Sequence, residues 1–552
     1  MQEESHGKDL NPLNKIENII IVGGGSAGWM TAATLLSQFP DKKITLVESP
    51  NIPTIGVGES TVAGGQSGFS GITSWLNMLE IKDDFMPHAD AIYKLSIAFK
   101  DFYHKDSGTF HYPFGKPYLH NNKTQNMNDW YLKKIRYPEI PVTDYVDSLY
   151  PAMALVNQNK SLFTDNFSRD HGRTELEKRY SENEVQLYSQ YSYQFDATKF
   201  GIWLKDHFCK KKYNKKFKHI LAEVKDTPLN EDGIEHLLLD TGQKLKADLF
   251  IDCTGFKSVL MSKFKIPFIP LYSNKIIPNN HAWATKIPYT NKEKQIVNYT
   301  NCTAIGNGWV WEIPLWSRMG AGYVFSDKFI SHEDALKEFK KELTKKGYTH
   351  LEELEYRLIP MRCGIQSQLW IKNTCAIGLS GGFIEPLHSN GLHRPHEFLF
   401  NLVRTLAPGR INQWDRQCFT ANCHHDFKKF AALVGLTYTL SHRDDTEYWR
   451  EIQNRSWPAL LESEVSWGYG TAFYEKMIIG EFNSIGAFPC VAAGMHWPPL
   501  DVHTLKYRDH MWEFDKNYDY YITQLENRKA RWNKQVKDFP SPYQYLKKHV
   551  YK

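Results

Sequence analysis

The sequence predicts an α/β chain, α+β overall, in which a parallel-sheet module carries a mainly helical region. Three observations predict it. A strand–turn–helix–strand pattern opens the chain between Ile16 and Glu48. Strand-like segments return at Glu235–Leu239, Asp248–Cys253 and Trp309–Ile313. From His393 onward the composition turns helical and rich in Trp, Tyr and His. A length of 552 residues leaves room for several modules at roughly 100–200 residues per domain.

Taken in order, residues 1–14 are polar and of mixed charge, without an apolar segment, and are expected to be a disordered tail and not a signal peptide. Ile19 to Val22 form a continuous β-branched run, the pattern of a parallel strand buried on both faces. Met30–Phe39 has helical composition, and Ile44–Val47 is a second short strand, so the opening is a βαβ unit. Leu119–Glu184 lacks a clear period and is expected to hold loops and short helices inserted between core elements. Prolines 498, 499, 540 and 542 interrupt the helical end. The expected division is a discontinuous cofactor module, 15–110 with 195–392, and a mainly helical substrate region, 111–194 with 393–552. No internal repeat or low-complexity segment is present.

Composition excludes several classes. Hydrophobic residues make up 41 % and charged residues 23 %, enough for a large core and a solvated surface. A net charge of +5, from 67 basic and 62 acidic residues, is too small over this length for a nucleic-acid groove. No apolar run approaches the roughly 20 residues of a membrane helix. The eight cysteines form no CxxC pair, and Cys418, Cys423, His424 and His425 lack the paired short spacings of a zinc site, so no metal is expected. Reduced thiols fit a cytoplasmic protein. Aromatic content of 14 %, with 16 Trp, suits either a flat apolar ligand pocket or ring packing in a large core.

Gly23-Gly24-Gly25-Ser26-Ala27-Gly28 places G-x-G-x-x-G at Gly23, Gly25 and Gly28, between the first strand and its helix. The first glycine permits the tight turn, the second a close approach of backbone to a pyrophosphate, the third close helix–strand packing. Ser26 and Ala27 open the helix, whose free N–H groups favour phosphate. Glu48 ends the second strand about 20 residues after the last glycine, where a carboxylate holds ribose hydroxyls. This unit predicts dinucleotide binding but leaves FAD and NAD open. Downstream, Asp248–Gly255 runs from an apolar strand into Asp252-x-x-Gly255 and resembles the second nucleotide-contacting strand of two-dinucleotide-fold flavoproteins of the glutathione-reductase type. No second complete G-x-G-x-x-G exists to seat NAD(P)H, so the flavin is expected to arrive already reduced.

Four further stretches resemble the flavin-dependent halogenases of the tryptophan halogenase family: GGGSAGWM at Gly23–Met30, GVGEST at Gly56–Thr61, GWVWEIP at Gly308–Pro314 with the W-x-W-x-I-P signature, and FIEPLHSNG at Phe383–Gly391. The resemblance implies that reduced FAD and oxygen give a flavin hydroperoxide, that a halide (chloride, bromide or iodide) attacks it, and that hypohalous acid crosses a tunnel to an aromatic substrate. Residue by residue, it implies Lys94 as the lysine that activates the oxidant, Trp309 and Trp311 beside the tunnel, and backbone amides of Asn390 and Gly391 for the halide. Gly58, Glu59, Val224, Leu379 and Leu392 fall at flavin-contacting positions, and Phe114 at a ring-stacking position. Ser389 is retained, but His388 stands where the family carries its catalytic glutamate. A neutral imidazole, with an ordinary pKa near 6.5, could accept the ring proton; equally, His388 could only bond its neighbours. Glu385 is expected to have a structural task. The Tyr-Tyr-Glu cluster of free-tryptophan members is missing from Glu464–Gly494, which favours varied indoles, phenols or similar electron-rich rings. The expected partners are a small aromatic and a separate flavin reductase, without nucleic acid or membrane; oligomeric state stays open, a homo-oligomer included. Two other readings also stay open: a flavin-dependent monooxygenase that hydroxylates directly, and a flavin-binding protein that has lost halogenating activity.

Overall fold

The β-branched run does pair on both sides and bury on both faces. In the computed structural model, which describes residues 15–52, 54, 58–63, 71–118, 130, 133–134, 136–168, 184–271, 277–462, 487–496 and 514–552, β1 (Asn18–Val22) sends Ile19 and Ile21 into one apolar cluster and Ile20 and Val22 into another. The expected tail 1–14, Gly56 and Val57 of the second motif, and residues 464–486 lie outside the described residues.

After β1 come α1 (Ser26–Gln38) and β2 (Lys43–Glu48). The helix starts four residues before the composition suggested. Its first turn packs directly on the preceding loop: a Cβ at Gly28 would sit 1.8 Å from the Gly23 carbonyl oxygen. Next are β3 (Ile92–Lys94), β4 (Ser96–Lys100), β5 (Thr109–Pro113), β6 (Ser192–Gln194), α2 (Ala197–Trp203), β7 (Phe217–Leu221) and β8 (Leu249–Asp252). They are followed by β9 (His281–Pro288), β10 (Tyr299–Ile305), β11 (Gly308–Pro314), β12 (Arg318–Phe325), α3 (His332–Lys345) and β13 (Arg357–Pro360). β14 (Trp370–Ile371) and β15 (Thr374–Ala376) precede α4 (His393–Leu406), α5 (Gln413–Thr439) and α6 (Glu447–Glu462). Ala487–Gly494, Phe514–Gln535 and Pro542–His549 complete the helices described after residue 392.

Two sheets frame the molecule. One has the order β14-β15-β8-β1-β2-β7 and is parallel except for the β14–β15 pair. The other, β13-β9-β12-β11-β10-β4-β5, is antiparallel except where β10 meets β4. β3 and β6 form a separate pair that sets Lys94 opposite Ser192. Of the segment expected as a strand at Glu235–Leu239 only Leu237–Leu239 is strand, separated by a break at 235–236 from Gly233–Ile234, which pairs with a different partner. Residues 111–194 are more mixed than expected, with the end of β5 and all of β6 alongside helices Thr143–Leu149, Ala152–Asn157 and Glu184–Tyr188. Among the described residues no helix is long and apolar enough to cross a membrane, and all eight cysteines are free.

Candidate active site

A cavity of about 470 Å³ opens at the C-terminal ends of β1 and β2 and reaches across to the antiparallel sheet. Its walls include Gly23, Gly25, Ser26 and Ala27 from the loop and first turn of α1, Glu48 from the end of β2, Gly58 and Glu59, Val224, Gly255, Leu379 and Leu392. The glycines make this lining possible. Gly23 has φ +114, and a Cβ there would lie 2.3 Å from the Cys253 carbonyl oxygen. A Cβ at Gly25 would meet nothing within 4 Å, so the backbone there faces open space that a diphosphate can approach. Glu48 Oε2 lies 2.8 Å from His219 Nε2, which fixes its carboxylate at the cavity edge. This lining fits a dinucleotide.

Three expected residues stand behind the wall. Gly28 is absent from the cavity surface and serves the close packing just described. The Asp252 carboxylate is fully buried and accepts from the N–H groups of Thr254 (2.9 Å), Leu260 (2.8 Å) and Met261 (2.9 Å). It shapes the loop that carries Gly255. The Asn390 side chain donates to the Glu385 and Leu387 carbonyls at 2.6 and 2.8 Å, bracing the turn that presents Ser389 and Gly391 to the cavity.

On β11, alternation turns Trp309, Trp311 and Ile313 toward the cavity. Val310 packs in the cluster on the opposite face of the strand. The indoles of Trp309 and Trp311 lie 6.2 Å apart at 57°. Trp311 fits because its neighbour on β12 is Gly322, where a Cβ would come 2.0 Å from the ring. Trp309 is held by its Nε1–H, which donates to Glu385 at 3.1 Å. Glu385 also accepts from Asn279 (2.7 Å) and from the Tyr438 hydroxyl, and burial pushes its pKa up to about 7. The expected structural task of Glu385 is therefore visible as an anchor for a cavity tryptophan.

Lys94, at the end of β3, is 0 % exposed. Its ammonium group donates to Ser60 Oγ (2.8 Å), the Thr61 carbonyl (2.9 Å) and Ser389 Oγ (2.8 Å), which uses all three hydrogens on neutral oxygens. Burial holds its pKa well below the ordinary lysine value. Ser60 and Ser389 both line the cavity, so the nitrogen sits one hydroxyl behind its wall. On another side lies the Phe114 ring, 5.2 Å from the nitrogen. Phe114 is buried and meets Tyr112 edge-on at 5.4 Å.

His388 is fully buried with φ +64, and Ser389 follows with φ +59. Two consecutive non-glycine residues in the left-handed region store strain, a pattern concentrated at functional sites. The His388 ring lies 4.7 Å from Phe99, and its Nε2 is 2.9 Å from Thr437 Oγ1. Thr437 Oγ1 in turn reaches the Leu433 carbonyl at 3.4 Å. Both contacts are satisfied when the threonine donates to the carbonyl and His388 donates from Nε2. Nδ1 then carries the lone pair, and it has no hydrogen-bond partner among the described residues. Burial, then the Lys94 charge, lowers the His388 pKa to about 3, so the ring is neutral near pH 7. The ordinary value near 6.5 assumed from sequence is thus corrected: His388 is a far weaker base, without the charge that would repel Lys94.

Sequence reasoning missed the groups that hold these residues. Arg318 donates to Glu59 (2.6 Å) and Asp196 (2.9 Å), so Glu59 enters the cavity wall as half of a buried ion pair. Ser60 lay inside a quoted motif, but its bond to Lys94 spans 34 residues and has no local signal. Thr437 and Phe99, which seat His388, likewise come from distant segments.

A glycine-lined cavity on a parallel sheet, a W-x-W strand across it and, behind it, a buried lysine without a carboxylate partner among the described residues are the arrangement that the resemblance to the class of flavin-dependent halogenases implies. Comparison with known proteins agrees. The family model described as tryptophan halogenase matches residues 18–507. The chain is 31 % identical over 452 residues to the 7-chloro-L-tryptophan 6-halogenase KtzR of Kutzneria sp. (strain 744), covering 81 % of this chain and 84 % of that protein. It is 30 % identical over 463 residues to the tryptophan 6-halogenase SttH of Streptomyces toxytricini, covering 81 % and 83 %. Among solved structures, the VirX1 apo structure superposes with a TM-score of 0.83 at 32 % identity, covering 98 % of this chain and 100 % of that one. The chain belongs to the tryptophan halogenase family.

Proposed function

We propose that this protein takes FAD supplied in reduced form by a separate reductase and halogenates an electron-rich aromatic, such as an indole or a phenol, with Lys94 and His388 acting on the oxidant and the ring. One observation carries this: the Lys94 ammonium group is fully buried without a carboxylate partner among the described residues, yet two of its three hydrogen-bond acceptors, Ser60 and Ser389, line the cavity that fits a dinucleotide. A buried amine in this state is expensive, and placement between a cofactor chamber and an aromatic ring supplies its purpose.

Reduced flavin with oxygen supplies the equivalents that turn halide into hypohalous acid. The loop at Gly23–Ala27, Glu48 and the wall formed by Val224, Gly255, Leu379 and Leu392 would hold the flavin. Gly391 and the Asn390 backbone would hold the halide. Trp309 and Trp311 line the passage and keep water and substrate from the flavin side. Lys94 turns one hydrogen from a serine hydroxyl to the oxygen of hypohalous acid, and that bond draws electron density from the halogen and makes it electrophilic. Phe114 stacks the substrate ring within reach of that nitrogen. The ring carbon forms its bond to halogen as the halogen–oxygen bond breaks, and the departing hydroxide takes a proton from the Lys94 ammonium group and leaves as water. His388 Nδ1, holding a free lone pair, takes the proton lost from that carbon. Even a weak base suffices, because a cationic ring intermediate is a strong acid.

The test supplies a flavin reductase, FAD, NADH and each halide in turn to a panel of indoles and phenols, with mass spectrometry of products. Halogen-for-hydrogen exchange is expected, and Lys94→Ala should abolish it while flavin affinity stays within about twofold. Halide-independent oxygenated product would overturn the proposal in favour of a hydroxylase. Peroxide alone, across the panel, would favour a flavin-binding protein without halogenating activity.

A further inference from the structure

On the face of the antiparallel sheet away from the cavity, three side chains far apart in sequence converge. Ala282 of β9 lines the cavity, so its neighbours His281 and Trp283 point to the opposite face. His281 pairs with Phe325 at the end of β12, which brings the turn at Asp327 and the first residue of α3, His332, alongside. One ligand atom from each of His281, Asp327 and His332 lies within 4.8 Å of the others. We propose that these three residues bind a divalent transition-metal ion of the zinc class.

The distances suit such an ion. Zinc bonds of about 2.0–2.1 Å to nitrogen and oxygen set neighbouring tetrahedral ligands roughly 3.4 Å apart. His281 Nδ1 and Asp327 Oδ2 already stand 3.6 Å apart, and the two imidazole rings are 4.6 Å between centroids. Small side-chain rotations close the remaining gap. The carboxylate is oriented from behind: Asn280 Nδ2 donates to Asp327 Oδ1 at 2.7 Å, and Asn280 Oδ1 accepts the Asp327 backbone N–H at 3.1 Å. Oδ2 is left for the ion, as expected of a supported ligand. His332 Nε2 is shielded from solvent with no hydrogen-bond partner among the described residues, a penalty that a bound ion removes. His281 Nδ1 now lies 2.9 Å from Asn280 Oδ1 and exchanges that contact for the metal. Two imidazoles and one carboxylate leave a fourth position for water.

The ion would tie the turn after β12 and the start of α3 to the edge of β9. It would stand across the sheet from the cavity and outside the proposed halogenation chemistry.

The experiment strips the full-length protein with a chelator and titrates Co²⁺ while following visible absorption, then adds Zn²⁺. One equivalent of Co²⁺ with the bands of a tetrahedral site, displaced by Zn²⁺, is expected. His281→Ala and His332→Ala should each weaken binding at least about 100-fold. Their far-ultraviolet dichroism and flavin affinity should match the parent. If an alanine variant does not fold, Asp327→Asn and His281→Asn, which keep side-chain volume, carry the same comparison. Absence of the Co²⁺ signal in the parent, or equal binding by parent and folded variants, would overturn the site.

Discussion

A lysine with no carboxylate nearby and no exposed surface is a poor choice for stability. Lys94 sits among Tyr93, Leu95 and Phe114, all buried, and its hydrogens rest on two hydroxyls and a carbonyl. Those acceptors do not depend on it alone: the Thr61 carbonyl also accepts from Ser192, and Ser60 contacts Thr300 at 2.7 Å. Lys94→Met should therefore lose halogenation yet unfold at the same temperature as the parent or higher, because replacing a buried unpaired charge by an apolar chain relieves desolvation. A melting temperature several degrees lower would mean that the ammonium group is a structural tie. His388 gives a second expectation, in pH. Its pKa of about 3 lies below the ordinary 6.5, so between those values the unfolded chain binds more protons than the folded one. Stability contributed by the neutral ring is present above about pH 6.5 and is lost as pH falls toward 3. His388→Gln should flatten the fall of unfolding free energy with acid over that window, measured by denaturant titration at several pH values. The parent's halogenation rate should show no ionisation of His388 between pH 5 and 8.

At the scale of elements, β11 and β12 decide the shape of the cavity wall across from the glycine loop. Trp311 occupies space that Gly322 leaves vacant, so Gly322→Ala forces the indole or the strand to move. Overpacking of this kind costs about 1–3 kcal/mol. The variant should show that loss in urea denaturation together with weaker flavin binding, since Trp311 lines the cavity; unchanged values for both would mean that the ring moves freely. The same strand shows what sequence can carry. W-x-W-x-I-P is legible because strand alternation assigns its three large residues to one face. The opening βαβ unit is legible for a similar reason, with turn, phosphate approach and helix packing all local to Gly23–Gly28. The break in Glu235–Leu239 is not: Gly233, at φ +120, abuts Asn373, and the Asn373 side chain accepts the Ile234 N–H. A contact across that much chain overrides any apolar pattern.

Across the whole molecule, most of the chemistry depends on such distant meetings. Arg318 with Glu59 and Asp196, Asn279 with Glu385 and Tyr438, and Lys94 with Ser389 each join segments far apart in sequence. Motif resemblance could name Lys94 and Ser389 but could not reveal the bond between them, nor the pairing of His388 with Thr437 on α5. The proposed function puts the aromatic in a second chamber behind the hydroxyl wall of Ser60 and Ser389, which face the cavity, on the side of Lys94 where the Phe114 ring lies. Variants on the two sides should then fail differently. Gly23→Ala drives a Cβ to 2.3 Å from the Cys253 carbonyl oxygen and should abolish flavin binding, oxidant and product together. Phe114→Ala removes only the stacking ring. It should raise KM for the aromatic by about tenfold or more, in line with the roughly 0.5–1.5 kcal/mol of a ring pair plus lost apolar burial. Its flavin affinity and its halide-dependent oxidant, captured by a small scavenger in place of substrate, should remain at parental levels. If Phe114→Ala instead lost flavin affinity or oxidant formation, the two chambers would be one, and the separation that protects the flavin from the substrate would have to come from motion and not from the wall.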